Sequence, residues 1–583
     1  AEALLAAHAN VKATTRIGAY TPLDIAAKAG NATIVKMLIK AGSDVKAVTT
    51  TGATALHFAA EAGNPEAVEA LLDAGANPNV QDAAQGQTPL VFAASRNRAA
   101  AIRVLLKHGA NPSIHTKVVL TADAAATQAA ITKRQNEVLV SYEPEKHKDD
   151  AKKAVEDSIK TAEAIAANPD AAQFFRNRPK GPQPKGPFTA DQVQAAIDSG
   201  RAFAAREKIK TDSKADTSSS AADSSAAPGF RGAKVLGTGG LSALHHAVRQ
   251  GNMDAVIALI EGGANVNDTS GVDHMTPLLT AAINGQFDIA MELLAHHADP
   301  KIASNEDMTP LYAIINVQWM PRVRYPQPEA IQTQKTSYLD VMEAMLKAGA
   351  DPNVRLKTQP WYFLGLSSCG NANCGAENIE GPNAFWRAAY GLDVNAMKML
   401  VKYGAKTDVP SEKMTVPVVA AGGRGGRGGA AAGRGRAFAP PPGAPNMPGI
   451  DSIAKATPAG KGVYPIDAVS GVGYGTGYAG GSHRHAPDGW MPAMRYMVEV
   501  LHADVNQRDQ NGYTPLHNAA ARGDNEMILY LVAHGADIHA VSKKGQTVAD
   551  MANGPQSRVT PIPDTLALLE KLGSINQHHC QSC

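Results

Sequence analysis

At 583 residues the chain exceeds the size at which single hydrophobic cores stop growing, so several stacked blocks or domains are expected. A formal net charge of +2 exerts no global pull towards nucleic acid or acidic membranes, no run of 18 or more apolar residues offers a membrane-spanning helix, and four cysteines are too few for a disulfide scaffold. The organisation therefore has to be read from local pattern, taken from the N-terminus.

Ala1 to Ala13, AEALLAAHANVKA, aligns with VEALLDAGANPNV (Val68–Val80), and no methionine precedes it. It reads as the second half of a repeat in a fragment or processed product, which leaves an upstream signal peptide open. Three full units follow, beginning at Thr21-Pro22-Leu23-Asp24, Thr54-Ala55-Leu56-His57 and Thr88-Pro89-Leu90-Val91. A threonine hydroxyl can accept a backbone N–H at a helix start, and a proline in the first turn loses no hydrogen bond. Gly42, Gly75 and Gly109 sit where each second helix should stop, in the left-handed position that glycine takes without a Cβ clash.

Residues 117–238 break the pattern. Val118 to Ala167 is rich in Ala, Lys and Glu with opposite charges near i,i+4, as in a solvated helix; Arg176–Pro187 is a semi-rigid linker, Phe188–Glu207 a capped helix, and Asp212–Gly229 too polar to order itself. The insert reads as a spacer with a helical hairpin or as a second docking surface.

The pattern resumes over 239–409. Ser242-Ala243-Leu244-His245, Thr276-Pro277-Leu278-Leu279 and Thr309-Pro310-Leu311-Tyr312 open units that stop at Gly262-Gly263, His297 and Gly349, with histidine also in the stop position at His8 and His502. The Thr309 unit is split by NVQWMPRVRYPQPEAIQTQKTS, where Pro321, Pro326 and Pro328 forbid a helix and leave Trp319 and Tyr325 available for contact. The cluster Trp361, Tyr362 and Phe363 caps the preceding unit or forms a surface, and Gly381–Asp408 is a degenerate unit with Phe385 and Trp386 in the Leu and His positions.

Residues 410–489 read as a Gly/Pro/Ala-rich linker, in which Arg424, Arg427, Arg434 and Arg436 offer phosphate contacts on a flexible backbone. Residues 490–583 restore the pattern. Pro492–Gln507 forms a second helix whose usual first helix is replaced by irregular chain; Thr514-Pro515-Leu516-His517 opens a full unit that stops at Gly535; an atypical unit at Thr547 and a last helix at Thr565–Gly573 close the array.

Between uninterrupted neighbours the step is 33 or 34 residues, the signature of one supersecondary unit stacked on the next. The motifs TPLDIAAKAGN, TALHFAAEAGN, LLDAGANPN, LLKHGANP and LVAHGADIHA make the chain resemble the ankyrin-repeat proteins. Its long Pro/Ala inserts and C-x-x-C tail resemble the large ankyrin proteins of Acidobacteria-like bacteria, which suggests export, whereas the low cysteine content also suits the cytoplasm. The resemblance implies an all-α solenoid of helix-turn-helix units, with His57, His245 and His517 bonding backbone between neighbouring repeats, and a non-enzymatic scaffold binding an unidentified protein on its concave face. It places contact candidates just before the opening threonine and just after the Ala-Ala pair: Glu61, Gln87, Arg96, Arg249, Gln250, Asn284, Tyr390, Tyr513 and Arg522. The departures at 116–238, 317–336, 354–382 and 410–490 leave open whether one stack or two or three blocks form.

No small-molecule substrate, metal or resident cofactor is expected. There is no Walker-type loop, and Gly237–Gly240 lacks the context of a dinucleotide site. Cys369 with Cys374, and Cys580 with Cys583, could form disulfides, share zinc, act as a redox pair or remain free; a c-type haem at the C-terminal pair would need a histidine at position 584. Electron transfer through such a haem, and nucleic-acid binding through the Arg-Gly segment, are the alternatives to a scaffold.

Overall fold

The computed structural model describes residues 1–120, parts of 132–142 and 188–200, and 237–319, 331–357, 381–412, 449–472, 485–553 and 561–577. The chain divides into two compact units. One is Ala1–Lys117 with Gly239–Cys583; the other is Val118–Thr238, in which Val119–Leu120 pairs antiparallel with Gly237–Thr238.

The larger unit is an all-α solenoid of two-helix repeats, numbered here one to ten. First and second helices are Pro22–Lys28 and Ala32–Lys40, Ala55–Ala62 and Pro65–Asp73, Pro89–Ser95 and Ala99–Lys107, then Ala243–Gln250 and Met253–Glu261, and Pro277–Ile283 and Phe287–Ala295. The array continues with Pro310–Gln318 and Tyr338–Lys347, Ala384–Tyr390 and Val394–Lys402, Pro465–Ser470 and Trp490–Arg495, Pro515–Arg522 and Asn525–Ala533, and Val548–Ala552 and Pro563–Lys571. Glu2–Ala6 precedes repeat one as a lone second helix.

Local chemistry sets these boundaries. The hydroxyls of Thr21, Thr88, Thr276, Thr309 and Thr547 each accept the backbone N–H three residues on, at 3.1–3.4 Å. Eight of the second helices end at glycines with φ between 84° and 104°, among them Gly75, Gly109 and Gly349. His8, His297 and His502 take that left-handed position with φ of 56°, 66° and 54°, as the pattern LLAHHADP predicts, at a strain that glycine avoids.

Packing follows the leucine of the opening motif. Leu23, Leu56, Leu90, Leu244, Leu278, Leu311, Phe385 and Leu516 are all buried between repeats, each worth roughly 1.5–3 kcal/mol of apolar transfer. Ala-Ala pairs such as Ala59-Ala60 and Ala281-Ala282 are buried beside them, where small side chains let first helices lie close. Each first helix from Pro22–Lys28 to Val548–Ala552 packs on the next, so the ten form one unbroken row and the stack does not divide into blocks.

The insert at 118–238 does not interrupt that row because its two ends are clamped together. Thr116 N–H donates to the Leu241 carbonyl (3.0 Å), and Gly240 N–H returns to the Thr116 carbonyl (3.1 Å). Beside this junction Asn252 donates to the Ala94 carbonyl (2.8 Å), Arg103 pairs with Glu261 (3.0 Å) and His115 with Asp268 (2.9 Å), stitching repeat three to repeat four.

The region expected to be linker at 410–489 holds structure. Ile450–Ala456 is a helix, and Pro465–Ser470 is the first helix of repeat eight, so no irregular chain replaces it. Its motif is Tyr464-Pro465-Ile466-Asp467, a polar-shifted version of the opening signature that hid behind the surrounding glycines. The second helix of this repeat carries one extra residue relative to its neighbours, absorbed as a π turn at Tyr496–Val500.

Candidate interaction surface

Two bonding systems hold successive repeats in register and thereby fix what each first helix presents. In the first, the histidine of the opening motif spans two repeats. Thr54 N–H donates to His57 Nδ1 (3.0 Å), which leaves the ring proton on Nε2 to donate to the Gln87 carbonyl of the next repeat (3.1 Å). His517 is held by Thr514 and reaches the Gln546 carbonyl (3.3 Å); His245 takes the Ser242 hydroxyl (2.9 Å) and reaches the Met275 carbonyl (2.8 Å). Burial lowers the pKa of all three, that of His517 to about 3, so they stay neutral and structural.

Repeat seven does the same with a different side chain. Trp386 Nε1–H donates to the Val463 carbonyl (2.8 Å), the residue just before the Tyr464 that opens repeat eight. A degenerate motif thus keeps the inter-repeat bond because indole also carries a donor at the far edge of its ring. The second system is an asparagine clamp that sequence reading missed: Asn79, Asn267, Asn353 and Asn506 each donate to the carbonyl at the next second-helix stop and accept a backbone N–H two residues beyond it. Its signal was present as an Asn recurring four residues after the stop position.

The turn tips form a ladder of their own, exemplified by Ala83 N–H to the Thr51 carbonyl, Asn305 to Asp273 and Lys543 to Asn511. Tips and first helices therefore make a continuous framework, and the expected contact residues can be placed on it. Arg249 and Gln250 are exposed at the end of their helix; Asn284 is half-buried and donates to the Thr280 carbonyl (2.8 Å). Arg96 is exposed and gives Nη2 to Glu61 (2.9 Å), while Gln87 is half-buried with its carbonyl taken by His57.

Three of the expected residues belong to the packing instead. Tyr390 is only 7% exposed and stacks on Trp386 with ring centroids 5.3 Å apart. Tyr513 is 4% exposed, with its hydroxyl donated to Gln546. The Arg522 side chain is only 6% exposed, its guanidinium 3.4 Å from the centre of the Trp490 ring and paired with Asp524. Their register is right, but residues of an adjoining repeat lie against them: Val463, Ala468 and Val472 beside Tyr390, Gln546 beside Tyr513 and Trp490 beside Arg522. Trp319 is likewise not available: its indole N–H donates to Asp393 (2.8 Å) and its carbonyl accepts from Arg387 (2.9 Å).

Among the described residues Arg387 is the largest fully buried side chain. It also binds the Asn316 side-chain oxygen (2.6 Å), and Tyr338 donates to the same Asp393 carboxylate, so repeat six is locked to repeat seven where its helices are split. Tyr325, the 361–363 aromatic cluster, the four Arg-Gly arginines and Cys369, Cys374, Cys580 and Cys583 lie outside the described residues. Among the described residues no three His, Cys, Asp or Glu side chains are arranged to hold a metal ion, and no helix is long and apolar enough to cross a membrane.

A single row of capped two-helix repeats with an inter-repeat histidine bond defines a helical repeat solenoid. Models for ankyrin repeats match residues 1–82, 23–117 and 227–316, and a further ankyrin-repeat model matches 498–552. Over these stretches the chain carries ankyrin repeats. Similar curated proteins include the Bos taurus Ankyrin repeat domain-containing protein 49, 55% identical over 38 residues (6% of this chain, 16% of that protein). Another is Protein phosphatase 1 regulatory subunit 12A of Mus musculus, 34% identical over 96 residues (16% and 8%). The chain thus spans under a fifth of the length of these relatives. Among solved structures, the human ASB11 ankyrin repeat domain is 17% identical with a TM-score of 0.33, covering 66% of this chain and 99% of that one.

Proposed function

We propose that the chain is a non-enzymatic scaffold that holds a partner protein along the inner face made by its first helices and turn tips. The observation that carries this reading is the unbroken row of ten first helices, on which Glu61, Arg96, Arg249, Gln250 and Asn284 recur seven or eight residues after the opening residue while the opposite faces are consumed by packing. A photo-reactive residue at Gln250 should crosslink the partner in the native host, and the same residue at Leu529, exposed on a second helix, should not. Capture at Leu529 alone would move the interface to the outer face.

We also infer an exported bacterial protein with disulfides within Cys369/Cys374 and Cys580/Cys583 and no resident cofactor. Intact mass of the natural protein, before and after reduction, should rise by two units per bridge. Added mass near that of a haem would replace the scaffold reading with electron transfer.

A further inference from the structure

We propose that the inner face of repeats one to four is built for an extended, acidic and apolar peptide segment of the partner, with Lys28, Arg96 and Arg249 as its cationic rim and Tyr20, Phe58 and Phe92 as its floor. This rests on the inner-face reading above and names the chemistry of what would bind there.

The rim follows from register. Lys28, Glu61 and Arg249 each stand seven residues after the opening residue of their repeats, and Arg96 stands eight after Thr88. Lys28, Arg96 and Arg249 are exposed. The seventh position in later repeats holds Ile283, buried Asn316, buried Tyr390, Gly471 and buried Ala521, and Arg522, at the eighth position like Arg96, is covered by Trp490 and paired with Asp524, so the exposed cations lie at one end of the array. The acidic groups nearby are engaged: Glu61 accepts from Arg96 Nε and Nη2 at 3.1 and 2.9 Å, and Asp254 accepts from Asn97 at 3.2 Å. Arg98, whose Nε donates to the Glu61 carbonyl (3.0 Å), adds a further positive charge. The strip is net positive on a chain whose overall balance is only +2.

The floor lies one helical turn back. Residues three apart share a helix face, which puts Ile25 beside Lys28, Phe58 beside Glu61 and His246 beside Arg249. Ile25 is 51% exposed and Tyr20 and Phe92 are half-buried, while Phe58 and His246 are buried at 6% and 7%. Tyr20 and Phe58 have ring centroids 5.5 Å apart, with Lys28 Nζ 5.6 Å and 5.9 Å from the two centroids; Phe92 meets His57 edge-on at 5.0 Å. A cation over aromatic rings beside an exposed isoleucine is a surface that takes apolar side chains and a carboxylate together.

Geometry sets the ligand's spacing. Packed helices lie about 8–10 Å apart and an extended chain rises about 3.3 Å per residue, so one repeat corresponds to about three peptide residues. Arg96 and Arg249 are on adjacent repeats and Lys28 is two repeats away from Arg96. The segment therefore carries two acidic residues about three apart and a third about six further along, with a non-acidic residue opposite Glu61.

The test uses the full chain and two synthetic twelve-residue peptides, one with glutamates at that spacing and leucines between, the other with lysines replacing the glutamates. Fluorescence anisotropy should show the Glu peptide binding at least about tenfold tighter than the Lys peptide, weakening with salt. The K28E/R249E variant should lose at least about tenfold for the Glu peptide, whereas K36E/K40E, exposed on the outer helix of repeat one, should leave it unchanged. Circular dichroism of each variant confirms folding. Preference for the Lys peptide, lost on K28E/R249E, would overturn the acidic assignment while keeping the inner face. Indifference of both peptides to K28E/R249E, or no binding of the Glu peptide at millimolar concentration, would overturn the assignment, and partner crosslinking at Leu529 alone would overturn the inner-face reading with it.

Discussion

A single donor atom at the fourth position of the opening motif decides whether neighbouring repeats are bonded through their side chains. Imidazole supplies it at His57, His245 and His517, and indole at Trp386. W386F keeps an aromatic ring but removes the donor and part of the buried ring volume, leaving the Val463 carbonyl without its indole partner; it should cost at least about 1–3 kcal/mol, measured by urea denaturation. The histidines give stability a pH dependence of defined sign. Their folded pKa values lie below the unfolded value near 6.5, so their contribution is fully present above that pH and is lost as pH falls towards the folded value, about 3 for His517. Urea midpoints should fall from pH 7.5 to pH 5, with His517 accounting for about 2 kcal/mol, and H517N should flatten the dependence. An unchanged midpoint would mean that the rings are protonated without loss of their bonds.

At the scale of the element, motif and environment diverge most in repeats six to eight. The splitting of repeat six costs no stacking because Arg387 and Asp393 grip Trp319 from the following repeat. Repeat eight enters through Gly460-Lys461-Gly462, where the backbone passes so close to its neighbours that a Cβ on Gly462 would lie 1.6 Å from the Ser411 carbonyl oxygen and one on Gly460 1.9 Å from that of Arg508. G462A should therefore destabilise the junction of repeats seven and eight by about 3 kcal/mol, and hydrogen exchange should accelerate in Pro465–Ser470 before it does in repeats one to three. The second helix of repeat eight shows the same tolerance in another form, an extra residue taken up as a π turn rather than as a shifted register.

Over the whole molecule, stability sums over neighbouring repeats, because each touches only the next. The insert at 118–238 leaves and re-enters between Thr116 and Leu241, whose bonds are local to the junction. Replacing residues 118–238 by an Asn-Gly turn should leave the thermal midpoint within about 2 °C of the full chain, since shortening a loop changes its closure entropy only slowly. A large drop in the midpoint would show that the insert itself supports the stack.

Most opening and stop residues and the role of His57, His245 and His517 were legible in the sequence, because caps, left-handed stops and buried leucines act within one unit and recur at a fixed step. The left-handed histidines His8, His297 and His502 were legible for the same reason. Repeat eight was half-hidden, since Tyr464-Pro465-Ile466-Asp467 keeps the proline but not the usual flanking residues. Lys28 shared the register of Glu61 and Arg249 and could have been found by counting. What only the tertiary structure decided was exposure: Tyr390, Tyr513 and Arg522 have the register of a binding surface but meet Val463, Ala468 and Val472, Gln546 and Trp490 from adjoining repeats, and Trp319 meets Asp393. It likewise decided that repeats three and four are neighbours despite the insert between them. Register is a property of one helix, whereas burial depends on the size of side chains brought in by another repeat, and no local period encodes that.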